Sequence, residues 1–426
     1  MFSKHPDCRH LTKSPIVSAC CVCQAGQCHR LLDFGRQPVC HHFRDETQHE
    51  GLYPLVLGRC ERCGLVQLME KVPAPELVPR FDWLVNNEPE DHLDALVDVL
   101  CTLPGVSPDA NICGVSHKDE SLLCRFRKKG FEYVWAIDRK GELEIENPRA
   151  GIETIQQRMK PLLAATLQQR HGVPDVVIAR HVLEHADEPV CLMETLRCLS
   201  RPRGYVVFEV PDCALPFQLF DYTVLWEEHR IYFTECTLRT CLEAGGFFVE
   251  QILSYPAPYE TVLVAITRPQ ATRRESFACP TKEGERAISF ANGFSQRQRD
   301  IRGLLLRWKK TGKIALFGAG HHAVMFTNLM GVGDLIEFVL DDHPCKRGLR
   351  MPGTRLPIVG SEKLMEENIV LCLSSLGAGS ERKVLSKIQR FIDRGGAFAS
   401  IFPTDKKEPL TFRAGPHQPE ELRETV

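Results

Sequence analysis

Closely spaced cysteines are the first residues in this 426-residue chain whose types imply chemistry. Cys20-Cys21-Val22-Cys23 and Cys60-Glu61-Arg62-Cys63 form two C-x-x-C knuckles. Each knuckle puts two thiolates on one tight turn, and two knuckles complete a tetrahedral sulfur site that suits zinc. Cys21, Cys28 and His29 lie near enough in sequence to replace a ligand of the first knuckle. Four protein ligands leave no open position, so the zinc is expected to be structural. A second signal is the apolar run ending in Gly114-Val115-Ser116, followed by a polar turn and a helix from about Ser121. Asp138 ends the next apolar run, about 20 residues on, where a strand-end acid holds ribose hydroxyls in nucleotide-binding sheets. A third is Gly318-Ala319-Gly320-His321-His322-Ala323, a match to G-x-G-x-x-G/A, with Asp341 about 20 residues later. A fourth is His181-Val182-Leu183-Glu184-His185, which fits the H-x-x-E-H pattern of inverted zinc peptidases if it is helical.

Regular elements must hold these residues in place. Leu93, Leu96, Val97, Leu100 and Leu103 fall on one helical stripe, with Asp91 placed to cap it and Pro104-Gly105 to stop it. Asn111–Val115, Tyr133–Ile137, Asp175–Ala179 and Gly204–Val210 read as strands, and Ser121–Lys129 as a helix. Buried strands alternating with helices predict a parallel sheet that binds ligands at its carboxyl edge. A helix over about 287–310 carries Phe294, Ile301, Leu304, Leu305 and Trp308 on a stripe that reads as core-facing. The expected fold class is α/β, a small zinc-binding N-terminal module followed by two doubly wound parallel-sheet (Rossmann-like) domains. Their boundaries fall at 1–75, 76–268 and 287–405, with a polar linker over Arg268–Arg286 and a loose tail over 406–426.

Composition excludes several functions. Hydrophobic residues are 43% and charged residues 25%, an ordinary globular profile. A net charge of -2 without a basic stripe argues against a nucleic-acid partner. No apolar run reaches the length of a membrane span, and the opening MFSKHPDCRHLTKS lacks the apolar core of a signal peptide. A cytoplasmic chain is expected, with its 19 cysteines as reduced thiols plus a metal site.

Longer stretches carry a family resemblance. Asp175–His185 followed by Asp187-Glu188-Pro189 is similar to the D-x6-V-L-E-H-x3-P segment of class I methyltransferases. Arg201–Pro211 resembles their L-x-P-G-G-x4-E-x-P strand. Trp226–Phe233 resembles the Y-H-E-H-x-x-Y-F signature of the deoxysugar C-methyltransferases, and Tyr53–Leu68 resembles their Y-P-L-x-L-x-x-C-x-x-C-G-L-V-Q-L run. Phe317–Ala323 and Val339–Gly348 resemble their C-terminal Rossmann-like domain.

The resemblance implies S-adenosylmethionine as cofactor and carbon methylation of a nucleotide-linked keto-deoxysugar or related ketone. It implies His229 as base, Glu228 as orienting group or second proton carrier, and His185 in the same pocket. It implies Gly114, Ser116, Asp138, Arg180 and His181 beside the cofactor, and Trp83, Trp226, His322 and Lys346 on the substrate side. The chain departs from the family pattern at Trp226 and around Phe81-Asp82-Trp83, where the family has tyrosines, and at His181, where it has asparagine. A small-molecule partner is expected, with the chain a monomer or homodimer. The alternatives are a nicotinamide oxidoreductase using the Gly318 turn, a non-catalytic zinc-stabilised scaffold, and, least favoured, the peptidase.

Overall fold

The computed structural model describes residues 17–24, 26–45, 50–84, 88–257, 260–270 and 281–416. Three sheets organise them. The first holds β1 (Val17–Ala19), β2 (Gln27–Pro38), β3 (Leu52–Cys60) and β4 (Val66–Leu68), all antiparallel. The knuckles sit at the base of the β2–β3 ladder, where Cys28 pairs with Cys60.

The second sheet follows α1 (Leu93–Cys101). It contains β5 (Ile112–Gly114), α2 (Glu120–Lys128), β6 (Val134–Ala136), α3 (Ile152–Arg158), α4 (Pro161–His171), β7 (Val176–Arg180), α5 (Pro189–Leu199) and β8 (Tyr205–Asp212). A short helix α6 (Ala214–Leu219), a two-residue strand β9 (Ile231–Tyr232) and α7 (Glu235–Ala244) lead to the antiparallel pair β10 (Phe247–Tyr255) and β11 (Thr261–Pro269). Strand order is β10-β11-β8-β7-β5-β6, with β6, β5, β7 and β8 parallel. β7 is buried along its whole length, as a central parallel strand covered on both faces must be. Helix α1 buries Leu93, Leu96, Val97 and Leu100, the expected stripe. Asp91 does not cap it: His92 is the N-cap residue, makes no side-chain cap bond, and turns its ring to Glu209 on β8 at 3.1 Å.

β9 does not join the sheet of its own sequence block. It pairs antiparallel with β4, Val66 opposite Tyr232 and Gln67 opposite Ile231, and so completes the zinc-module sheet.

The third sheet follows α8 (Thr281–Thr311), which begins earlier than the expected helix. Ile301, Leu304, Leu305 and Trp308 are buried, so its apolar stripe faces the core. Arg297, also buried on α8, donates to the carbonyls of Leu219, Lys406 and Glu408. Then come β12 (Lys313–Phe317), α9 (His321–Leu329), β13 (Phe338–Leu340), β14 (Ile358–Val359), α10 (Lys363–Glu366), β15 (Ile369–Ser374), α11 (Ala378–Lys387), α12 (Gln389–Asp393), β16 (Ala397–Ser400) and β17 (Thr411–Ala414). Order is β14-β13-β12-β15-β16-β17, parallel except for β17. The stretch expected as a loose tail therefore contains an edge strand, because β17 supplies backbone partners to β16. Residues 417–426 and most of the expected linker, 271–280, lie outside the described residues. No described helix is long and apolar enough to cross a membrane.

Candidate functional site

The four knuckle thiols converge. The Sγ atoms of Cys20, Cys23, Cys60 and Cys63 lie within 4.8 Å of one another, with Cys20–Cys63 and Cys23–Cys60 both at 3.6 Å. A tetrahedron with Zn–S bonds of about 2.3 Å has edges of about 3.8 Å, so the set fits zinc. A Cβ on Gly26 would stand 2.5 Å from the Cys60 sulfur, which is why the chain has glycine there. Of the possible substitutes, His29 turns outward to Glu61, and Cys28 is buried opposite Cys60.

The carboxyl edge of the second sheet brings Gly114 and Asp138 onto neighbouring strands: Gly114 is opposite Ala136, and the Ile137 amide donates to the Gly114 carbonyl. The glycine-poor turn is closed from inside. The Asp119 carboxylate, fully buried, accepts from the amides of Val115 (2.8 Å), Ser116 (2.7 Å) and Arg180 (2.9 Å). Ser116 returns a capping contact to the Lys118 amide. Asp138 is exposed, with one carboxylate oxygen accepting from the Gly141 amide.

Arg180 is buried at the end of β7. It pairs with Glu209 at 2.9 Å and donates to the Lys118 carbonyl. His181 adopts a left-handed φ of 49°, which aims its ring at Glu184 (3.1 Å) and Glu209 (3.0 Å). Burial opposes the His181 charge, but Glu88, Glu184 and Glu209 outweigh it and hold the imidazolium well above its ordinary range. Burial would raise Glu209; hydrogen bonds from His181 and His92 and the Arg180 charge win and lower it. Sequence reasoning missed Asp119 and the role of Glu209. Glu209 had a signal, a charge inside an apolar strand.

Residues 181–187 are not helical, and α5 starts only at Pro189. His181 and His185 therefore share no helix face, which removes the peptidase reading; His185 comes from a turn, not from the following helix.

The residues expected to do acid–base chemistry meet. The His185 ring lies 4.7 Å from that of His229, edge to face, and Trp226 lies 5.0 Å from His229 and 6.2 Å from His185. Glu184, His185 and His229 offer ligand atoms within 4.8 Å of one another, as do Glu153, His185 and Glu228. His185 Nδ1 is 2.8 Å from Glu153 on α3, a residue with no local sequence signal. Burial lowers His185, but the Glu153 bond and charge more than offset it. His229 is half-buried, and desolvation and the neighbouring His185 push it well below the usual imidazole range. Burial and the charges of Glu153 and Glu227 push Glu228 well up. The pocket thus favours the neutral form of the His229 imidazole and of the Glu228 carboxyl.

The zinc module fixes this segment. Besides the β4–β9 pairing, the Leu68 amide donates to the Arg230 carbonyl at 3.0 Å and the Cys40 amide to Glu227 at 2.6 Å. The third domain closes it from the other side. Trp226 stacks on His321 (4.6 Å, 12°), and His321 and His322 both reach the Thr223 carbonyl at 3.1 Å. Of the four expected substrate residues, Trp226 lies against His229. Trp83 packs with Phe81, Phe43 and His343, His322 is bonded to Thr223, and Lys346 holds Asp341 at 3.0 Å. Asp341 also accepts from the Ala319 amide, so its carboxylate ties down the Gly318 turn. No specific observation there favours a nicotinamide.

Three family descriptions match the chain in order: a zinc binding domain of methyltransferases over 20–77, a methyltransferase domain over 100–252, and a C-methyltransferase C-terminal domain over 270–403. The C-methyltransferase NovU of Streptomyces niveus is 22% identical over 405 residues, covering 91% of this chain and 96% of that protein. The chain carries the zinc-binding, methyltransferase and C-methyltransferase C-terminal domains in that order. The first match contains all four zinc ligands, and the second contains Gly114, Asp138 and the Trp226–His229 turn. Among solved structures, magnesium protoporphyrin IX methyltransferase of Synechocystis PCC 6803 aligns at 18% identity over 44% of this chain and 90% of its own, with a TM-score of 0.30. The 1,6-didemethyltoxoflavin-N1-methyltransferase of Burkholderia thailandensis aligns at 17% identity over 42% and 77%, with a TM-score of 0.27.

Proposed function

We propose that this chain methylates a carbon beside the ketone of a nucleotide-linked deoxysugar or related ketone, with His229 as the base. S-adenosylmethionine supplies the methyl group as a sulfonium. The protein must remove a proton from that carbon, hold the enolate oxygen, and keep the carbon in line with the methyl. The C–H electron pair would become the enolate and the proton would go to a ring nitrogen of His229; the enolate carbon would then bond the methyl as its carbon–sulfur bond breaks and the neutral thioether S-adenosylhomocysteine leaves.

The observation that carries this reading is His229 itself, an imidazole held well below its usual range by desolvation, whose ring meets those of His185 at 4.7 Å and Trp226 at 5.0 Å. Desolvation keeps its lone pair available across the working pH range. Glu228, whose carboxyl meets Glu153 and His185, would act as the second proton carrier through His185. The Trp226 indole N–H is buried without a partner, a donor that can hold an enolate oxygen where the family pattern has a phenol. Gly114, Ser116, Asp138, Arg180 and His181 mark the sheet edge for the cofactor, where Asp138 is exposed and free to accept ribose hydroxyls.

The test is transfer of labelled methyl from S-adenosylmethionine to a panel of nucleotide-linked keto-deoxysugars. His229→Ala should abolish transfer while calorimetric affinity for the cofactor stays within a few-fold. Unchanged transfer by the variant would refute the assignment.

A further inference from the structure

We propose that Glu153, His185 and Glu228 form a second metal site, separate from the four cysteines, for a divalent first-row cation such as Mn2+ or Zn2+. The three residues come from different parts of the chain: helix α3, the turn after β7, and the turn before β9. Their ligand atoms nevertheless lie within 4.8 Å of one another, and each residue is less than a tenth exposed. Such convergence of two carboxylates and an imidazole is costly without a cation. Buried carboxylates must be paired, protonated or bound to a metal. Here Glu153 pairs with His185 at 2.8 Å, while Glu228 bonds Glu153 and faces His41, an imidazole that burial pushes down to about 4, at 3.4 Å.

Two further observations point into the same space. His41, from the zinc module, is buried with neither ring nitrogen hydrogen-bonded, and its Nε2 faces Glu228. Glu227 bonds the Cys40 amide through one oxygen, and its other carboxylate oxygen is buried without a partner. A narrow surface cleft lined by Lys71 and Asp187 is also lined by Glu153, His185 and Glu228, so the cluster borders space open to solvent.

The donor set decides the class of ion. Carboxylates with imidazoles suit Mn2+, Fe2+, Co2+ and Zn2+ and do not suit the soft cations that thiolates prefer. Three protein ligands, with His41 as a fourth, leave a position open. The cysteine site is closed. The proposed base, His229, is not a ligand in this set, so the inference does not rest on the catalytic reading, although it shares His185 and Glu228 with that pocket.

The test uses the full chain with its cysteine-bound zinc in place, titrated with Mn2+ and followed by the loss of the free-ion electron paramagnetic resonance signal. Thiolates are poor ligands for Mn2+, so it reports the other site. Saturable binding is expected, with at least ten-fold weaker affinity in Glu153→Gln and in Glu228→Gln at unchanged zinc content. Spin-echo modulation from a bound imidazole nitrogen should appear in the unaltered chain, a readout that needs no variant to fold. Mn2+ that stays free, affinity unchanged in both variants, or no nitrogen coupling overturns the proposal. Binding without methyl transfer would refute the catalytic reading alone, and transfer by a chain that binds no Mn2+ would refute this one alone.

Discussion

Removing the zinc should loosen the His229 segment while leaving the central sheet intact. The perturbation is Cys60→Ser with Cys63→Ser, which deletes the second knuckle. The segment 226–232 is held to the zinc module by the two-residue β4–β9 ladder, by Leu68–Arg230 and by Cys40–Glu227. At about 1 kcal/mol net for each hydrogen bond, these contacts contribute roughly 4 kcal/mol to its seating. Every 1.4 kcal/mol is about ten-fold in an equilibrium, so their loss changes the seated population by roughly three orders of magnitude. Hydrogen exchange read by mass spectrometry checks this without a substrate. Peptides covering 226–233 should exchange about a thousand-fold faster, while those from β7 and β8 keep their protection. Protection of 226–233 within ten-fold of the parent, in protein shown to be free of zinc, would refute the coupling.

The remaining expectations are more local. Asp138→Ala should weaken S-adenosylmethionine binding by ten-fold or more in calorimetry, and an unchanged constant would remove it from the cofactor edge. Arg297→Met should cost about 3 kcal/mol in urea unfolding, because three carbonyls lose a charged donor; a midpoint unchanged from the parent would count against the clamp. The Arg180–Glu209–His181 network should give stability a two-sided pH dependence. His181 is raised, so its contribution is complete below about pH 6.5 and is lost as pH climbs through its higher folded value. Glu209 is lowered, so its contribution is complete above about pH 4.3 and is lost as pH falls through its folded value. The urea midpoint should therefore peak between those values, and His181→Gln should flatten the alkaline side; a variant with the same alkaline slope would contradict the charge assignment.

Much of this was legible in the sequence because the signals are local. The parallel strands are unbroken apolar runs, and Val176–Arg180 and Tyr205–Asp212 lie within two residues of the expected bounds. The cysteine knuckles carry their own geometry in a three-residue spacing. The approach of Glu228 and His229 to His185 was legible only through family resemblance, since more than 40 residues separate them. What was not legible is nonlocal or too short to leave a pattern. β9 is two residues long, and only the sheet it joins distinguishes it from a turn. Glu153 sits at the start of an ordinary helix, and nothing nearby in sequence announces His185. Asp119 looks like any polar turn residue until its carboxylate is found accepting three amides. Asp91 has the right type for a cap, yet the N-cap position falls to His92, whose ring is drawn to Glu209.

Trp226 stacked on His321 bears on how the protein can be cut apart. A fragment ending before α8 would lay the indole face bare to water and leave the Tyr222 hydroxyl without the Phe290 carbonyl it meets at 2.6 Å. Expression of the central block alone would therefore give a weakened pocket, and its silence in an assay would say nothing about the intact chain.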